Sequence, residues 1–294
     1  MDRYFLGARR LIVGRGCVHQ PQPDLTVLSH RGTTSPPPVT SPITIPCTDS
    51  VIRSATRSWK FRDTALKKLQ TALSEAENEA VITVPQQVLP DIEPHLRDAI
   101  KRDVLVFLLV SEMDEDDVGP GRFRDIADAV RFWSEDVPFS YAVDDELAMI
   151  GEPDILIGSY SEDGAVTVSE YHLTGAVLGL YLSAYWPTAT EIHVSDPDPL
   201  PKKYDWFRQA VFHASIHHQR GVLLQADIGT TDGTHISGMV SQIRQAFLEP
   251  ATNEYTLEMS LVIETDEGEV SVGGPSAFIE DYEADIVALR RQSD

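Results

Sequence analysis

The chain has 294 residues, enough to bury a sizeable core and to hold two compact domains. It carries 24 Lys and Arg against 46 Asp and Glu, a formal net charge of −22, and that field disfavours binding of nucleic-acid phosphates by the acidic part. No apolar run is long enough to cross a bilayer, no secretory signal is evident, and Cys17 and Cys47 offer no disulfide framework, so a cytoplasmic protein is expected.

The charge is unevenly spread. Residues 1–58 hold seven Arg and three Asp with no Lys and no Glu, so nearly all the acid lies beyond them. Lysine is scarce throughout, with six Lys against eighteen Arg. A carboxylate surface poor in lysine suits a cytoplasm of molar salt, which screens its self-repulsion, and points to a halophilic archaeal source.

Residues 1–58 contain seven prolines and the run Thr33-Thr-Ser-Pro-Pro-Pro-Val-Thr-Ser-Pro42, a composition that disfavours helices and predicts disorder. The spacing of Leu66, Leu69, Leu73 and Ala76 predicts a helix over Asp63–Asn78, its apolar seam serving either as the inner face of a domain or as a dimerising coiled coil. From Glu79 the chain alternates. Strands are expected at Ala80–Val84, Val104–Val110, Phe139–Val143, Asp154–Ser159 and Ala165–Ser169; helices are expected at Asp91–Arg102, Phe123–Trp133 and Leu173–Tyr185. That order predicts an α/β layer with a mostly parallel sheet over 59–194.

Ser195-Asp-Pro-Asp-Pro-Leu-Pro201 is a proline-stiffened connection, and 195–203 is the expected linker. Beyond it, a helix at Tyr204–His218 and strands at Gly221–Ile228, Thr234–Phe247, Tyr255–Glu264 and Glu269–Val272 predict a small, mostly antiparallel β domain over 204–294. Asp266-Glu-Gly268 supplies a hairpin turn.

His213, His217 and His218 form a histidine cluster. Two lie four apart on one predicted helix, but no third metal ligand is apparent, so a solvated face is the simpler reading and no metal is expected. Asp227-Ile-Gly-Thr-Thr-Asp-Gly-Thr-His235 has the residue types of a phosphate-cradling loop. Two acids and no following Lys argue instead for a polar turn. Asn253 reads as a turn residue able to reach ligand hydroxyls. Trp206 begins the helix after the linker, where its ring either stacks on a ligand or seals the domain interface.

The segment Val270-Ser-Val-Gly-Gly-Pro-Ser-Ala-Phe-Ile-Glu-Asp-Tyr-Glu-Ala284 runs from a strand-like alternation through two glycines into paired carboxylates flanked by rings. It reads either as a tight turn followed by solvated acids or as a polyol pocket, where a carboxylate accepts paired hydroxyls and rings cover the apolar face. Val272-Gly273-Gly274 and Glu280-Asp281-Tyr282-Glu283-Ala284 resemble the C-terminal signature of the TrmB family, the archaeal sugar-sensing transcription regulators. The resemblance extends more loosely from about Trp59 to the C-terminus.

The resemblance implies a phospholipase D-like α/β domain without the catalytic motif, followed by a sugar-binding β domain. It implies that Gly273, Gly274, Phe278, Ile279 and Glu280 line a sugar pocket, with the helix start at Trp206 contributing a ring able to stack on the sugar and Asp232 a candidate at the pocket rim. Such regulators begin with a winged helix-turn-helix, which the prolines of residues 1–58 do not accommodate; operator DNA would be reached only through a helix-turn-helix not present in this chain. No catalytic role is expected, because none of the nine histidines has a Lys two positions later, as phospholipase D chemistry requires. The expected protein is a cofactor-free homodimeric sensor of a mono- or disaccharide that controls sugar uptake or metabolism genes. The alternative is an interaction protein that dimerises with intact regulators.

Overall fold

Two continuous apolar runs set the centre of the fold. Glu79–Pro85 (β2) and Leu105–Ser111 (β3) are buried at every position, the pattern of strands covered on both faces. The computed structural model describes residues 56–59, 62–114, 118–119, 121–158, 164–253, 255–275, 277 and 279–292. Cys17, Cys47, Phe278 and nearly all of the proline-rich segment lie outside the described residues.

The first sheet also contains Thr56–Trp59 (β1), Ala129–Trp133 (β4), Phe139–Val143 (β5), Leu147–Gly151 (β6), Ala165–Val168 (β7) and Thr190–Val194 (β8), in the order β1-β7-β6-β5-β2-β3-β4-β8. Ala80, Ile82, Val106, Leu108 and Val110 face Arg62–Glu75 (α1), Leu89–Lys101 (α2) and the short helix Asp154–Ile157 (α3). Val81, Leu105, Phe107 and Leu109 point the other way, toward Tyr171–Leu180 (α4), its π-helical continuation Tyr181–Tyr185, and the second subdomain. The period of two along β2 and β3 thus divides the core into two compartments.

The sheet is not mostly parallel. Only β2–β3 and β3–β4 run parallel, and the other five pairings are antiparallel. Two expected elements change type. The Phe123–Trp133 helix is instead a run of turns leading into β4. Its β-branched and aromatic residues extend the central ladder, and the Asp128 carboxylate takes the Val106 N–H at 2.8 Å. The Asp154–Ser159 strand is instead α3, entered through Pro153, which buries Ile155 and Leu156. β6 and β8 are additional strands.

The apolar seam of α1 is used inside the domain. Ala65, Leu66, Leu69, Ala72 and Leu73 are buried, so the seam is an inner face rather than a free coiled-coil stripe. Arg102 ends the helix by donating to the Leu73 and Ala76 carbonyls at 2.7 and 3.2 Å.

The expected small, mostly antiparallel β domain follows. Its strands are Lys202–Tyr204 (β9), Leu224–Thr230 (β10), His235–Arg244 (β11), Ser260–Thr265 (β12), Gly268–Gly273 (β13) and Tyr282–Arg291 (β14). β10–β14 pairing closes β10 to β14 into a barrel, with β9 added beside β14 and one short parallel contact between β13 and β14. Helix Phe207–Gln219 (α5) lies between barrel and sheet. Phe212 and Phe247 stand 5.7 and 5.5 Å, ring to ring, from Phe107 of β3, so both subdomains share one core.

The connection between the sheets is held by histidines that are not solvated. His213 and His217 of α5 are buried; His213 Nδ1 accepts the Asp198 N–H at 3.1 Å, and His217 Nε2 lies 2.8 Å from the Asp198 carbonyl. Their spacing of four clamps a linker. Among the described residues no three His, Cys, Asp or Glu side chains are placed to hold a metal, and no helix is long and apolar enough to cross a membrane.

Candidate functional site

Beyond β13 the backbone folds back on itself before β14, and two glycines permit it for different reasons. A Cβ on Gly273 would stand 2.7 Å from the Ala277 Cβ and 2.9 Å from the Glu280 carboxyl carbon, so this position makes room for Glu280. A Cβ on Gly274 would stand 2.9 Å from the Phe207 ring, so this one lets the loop lie against the start of α5. The loop is closed by a clamp. The Asp281 carboxylate accepts from the Ser271 N–H and Oγ, both at 2.8 Å, and the Ser271 backbone contact holds its pKa below the usual carboxylate range. With Asp281 turned to β13, Glu280 lies on the cavity side of the loop, placed there by the bends that run from Ile279 to Asp281.

Glu280 faces a cavity of about 690 Å³. Its wall is formed by Trp206, Phe207 and Arg208 at the start of α5, Tyr255, Leu257, Glu258 and Met259 from the loop before β12, Gly274, Pro275, Ala277 and Ile279 from the loop above, and Asp145 from the β5–β6 turn. Gly274, Ile279, Glu280 and Trp206 therefore come together on one surface. Gly273 lies behind it, and Phe278 is outside the described residues. Asp232 is not on the wall; it accepts from Thr230 Oγ1 and the Thr234 N–H and shapes the β10–β11 turn. Asn253 donates to the Glu258 carbonyl at 3.1 Å and so bridges the loop that carries Tyr255 and Leu257.

The wall is apolar where it is open. Tyr255, Leu257 and Ile279 are 75%, 54% and 64% exposed, uncommon for such side chains gathered at one mouth. Covering one fully contributes about 1.5–3 kcal/mol, so an occupant with an apolar face gains substantially here.

The charged groups fall into two classes. Glu258 is paired with Arg244 at 3.0 Å, and Arg208 is paired with Glu79, a β2 residue that is 1% exposed. Burial pushes the Glu79 carboxyl above its ordinary range despite Arg208, and Asp145 adds to that. Burial works against the Arg208 charge, but Glu79 more than restores it. Glu79 also accepts the Trp206 Nε1–H at 3.0 Å, so the indole both lines the cavity and ties the subdomains together. Glu280 and Asp145 form the second class, with no hydrogen-bond or ion-pair partner among the described residues.

Glu79, Asp145, Tyr255 and Leu257 were not singled out as site residues in the sequence. Tyr255 and Leu257 fit an alternating strand pattern, and only their exposure betrays them. Asp144-Asp145 between two short apolar runs was the available signal of a turn, but nothing local says that it meets α5.

Two family models match the chain: the N-terminal subdomain of the effector-binding domain of the transcriptional regulator TrmB, over residues 57–193, and the C-terminal subdomain of the TrmB/TrmBL1 effector-binding domain, over residues 199–292. No curated protein matches the chain significantly. Among solved structures it is similar to TrmBL2, an archaeal chromatin protein described as showing a novel mode of DNA binding, with 14% identity and a TM-score of 0.39 over 50% of this chain and 57% of that one. It is similar to Nuc, a phospholipase D family member from Salmonella typhimurium, with 16% identity and a TM-score of 0.37 over 47% of this chain and 97% of that one. NucT from Helicobacter pylori is similar at 10% identity and a TM-score of 0.37, over 46% and 98%. The chain thus spans little more than half of TrmBL2. With its two subdomain models matched in order across the sheet and the barrel, the chain belongs to the TrmB family of transcriptional regulators.

Proposed function

We propose that residues 57–292 sense a mono- or disaccharide for a regulator of sugar uptake or metabolism genes and carry out no catalysis. The observation that supports this most is the unpartnered Glu280 carboxylate on the wall of a cavity of about 690 Å³ whose mouth is apolar. Glu280 accepts ligand hydroxyls; Ile279, Leu257, Tyr255 and Trp206 cover the apolar faces of the rings; Gly274 supplies close backbone, and Phe278 follows in the same loop. The role of Gly273 is to seat Glu280 rather than to meet the ligand. Because Arg208 is already paired and Asp145, Glu258 and Glu280 are acidic, the cavity prefers neutral sugars to phosphorylated ones.

The protein in this reading is a cytoplasmic homodimer from a salt-adapted archaeon, and its operator contacts are made by a helix-turn-helix outside these residues. The dimer contact lies elsewhere than the α1 seam. Exposed Tyr171, Leu173 and Leu180 on α4 favour the second reading, an interaction protein that pairs with intact regulators.

A thermal-shift screen in molar KCl against glucose, maltose, sucrose, trehalose and their phosphates tests this. A ligand at a hundred times its Kd raises stability by about 2.7 kcal/mol. The expected result is a shift with a neutral sugar that is lost in Glu280→Ala, whose affinity falls by about 1.5–3 kcal/mol. A well-folded chain that shifts with none of them, or a mutant that binds as before, removes the sugar pocket.

A further inference from the structure

We propose that Asp145 is a second ligand contact, contributed by the α/β subdomain, so that the cavity's occupant joins the two subdomains directly. The inference rests on the reading of the cavity as a sugar site. Among the described residues, every other wall residue belongs to the β subdomain or to the start of α5, and Asp145 alone reaches the cavity from the first sheet.

The β5–β6 turn explains where Asp145 sits but not why it is charged. Asp144 and Asp145 have φ of +53° and +56°, the left-handed pair of a tight hairpin, where Asn, Asp and Gly all serve. Asp144 uses its carboxylate fully, accepting the Glu77, Asn78 and Glu79 N–H groups at 2.8, 2.7 and 2.8 Å. Asp145 uses none of its hydrogen-bonding capacity within the described residues. Its charge pushes the buried Glu79 carboxyl further from its ordinary range and at the same time supports the Arg208 guanidinium, so the two ionic effects oppose one another. Neither effect uses its lone pairs, and a carboxylate on the cavity wall whose acceptor sites no described residue fills is accounted for by donors from outside the chain. Ligand hydroxyls are the donors that a neutral sugar brings.

The turn is a rigid platform for that contact. Asp144 fastens it to the backbone that begins β2, and the first residue of β2, Glu79, holds Trp206 and Arg208. A sugar bonded to Asp145 on one side and Glu280 on the other is compatible with one spacing of sheet and barrel. Binding thereby selects a subdomain orientation, whereas a ligand held by Glu280 alone would leave that orientation free.

The test is titration calorimetry of the whole chain in molar KCl with glucose, maltose, sucrose and trehalose, using wild type, Asp145→Gly, Asp145→Asn and Glu280→Ala. Glycine and asparagine both suit the left-handed position, and circular dichroism checks that each variant is folded. The expected result is roughly a tenfold to hundredfold loss of affinity in Asp145→Gly, a smaller loss in Asp145→Asn, and no loss of melting temperature in either without sugar. Wild-type affinity in Asp145→Gly, with binding lost in Glu280→Ala, overturns the Asp145 contact and leaves the sugar site standing. Failure of the wild-type chain to bind any of the four overturns the sugar reading and this contact with it.

Discussion

Arg131 and Arg208 both lie where the first sheet meets the barrel, and their surroundings differ. Arg131 is 0% exposed. Its guanidinium donates to the Trp186 carbonyl at 2.8 Å, approaches Glu191 and Glu249 at 3.5 and 3.1 Å, and lies 5.0 Å from the Trp186 ring centre. Trp186 in turn donates to the Phe247 carbonyl at 2.8 Å, so the contact is closed on all sides by the chain itself. Arg208 has Glu79 in the same way, but its neighbours Asp145 and Glu280 line an open cavity and hold nothing among the described residues. Buried charge within a closed network fixes the subdomains together; in the proposed reading, buried charge beside unpartnered acids prepares a place for a ligand.

The largest effect should come from breaking the closed contact. Arg131→Met should cost about 3–5 kcal/mol in chemical denaturation, because it leaves Glu191 and the Trp186 carbonyl without their donor. Glu249 is more than half exposed and contributes little of this. Sugar affinity of the folded fraction should stay at the wild-type value. A loss of affinity with no loss of stability would reverse the roles assigned to the two arginines.

The linker extends the comparison to a third buried network, through pH. Burial lowers the His213 pKa to about 4, so its contribution is complete above the ordinary value of 6.5 and is lost as pH falls through about 4. Burial raises Asp128 from 3.8 to about 6; its charged form disfavours folding above that pH, and the penalty is relieved as pH falls toward the ordinary value. The two oppose one another across the same interval. Asp128→Asn should therefore lose more stability than wild type between pH 6 and 4, by on the order of 2–3 kcal/mol in melts across that range. Parallel pH curves would show that Asp128 is not held in its shifted state.

The smallest effect belongs to the open site. Ser271→Ala removes two hydrogen bonds of the loop clamp, one donated to the Asp281 carboxylate and one accepted from the Asp281 N–H, and should cost about 1–2 kcal/mol of stability while weakening sugar binding, because Asp281 no longer fixes the outward side of Glu280. Equal affinity in the variant, measured by calorimetry, would mean that Glu280 is held by Gly273 and Ala277 alone. Glu280→Ala itself should shift stability by less than about 0.5 kcal/mol, since its carboxylate has no hydrogen-bond or ion-pair partner among the described residues.

Much of this was written locally. The continuous apolar runs of β2 and β3 and the alternation of β12 announced strands, the a/d spacing announced α1, and the prolines at 195–201 marked the passage between sheets. The loop from Gly273 to Asp281 carried its own account as well, because close packing at a glycine and opposite orientations of adjacent acids are short-range matters. What could not be read from the chain depends on distant partners. β4 carries a helix-compatible spacing at Ile126, Val130 and Trp133, and it is a strand because β3 offers it a ladder. The histidines of α5 have the spacing of metal ligands and hold a linker, because Asp198 lies against them. Trp206 meets Glu79 across 127 positions of sequence, and Asp145 reaches the cavity only because Asp144 fastens its turn to the start of β2. Sequence alone thus determined the elements whose signals are local, such as β2, β3, α1 and α5, and the chemistry of one wall, through periodicity and steric demands that act over a few residues. Tertiary structure decided which side chains were buried and which acids were left without partners, because burial and pairing belong to the assembled chain.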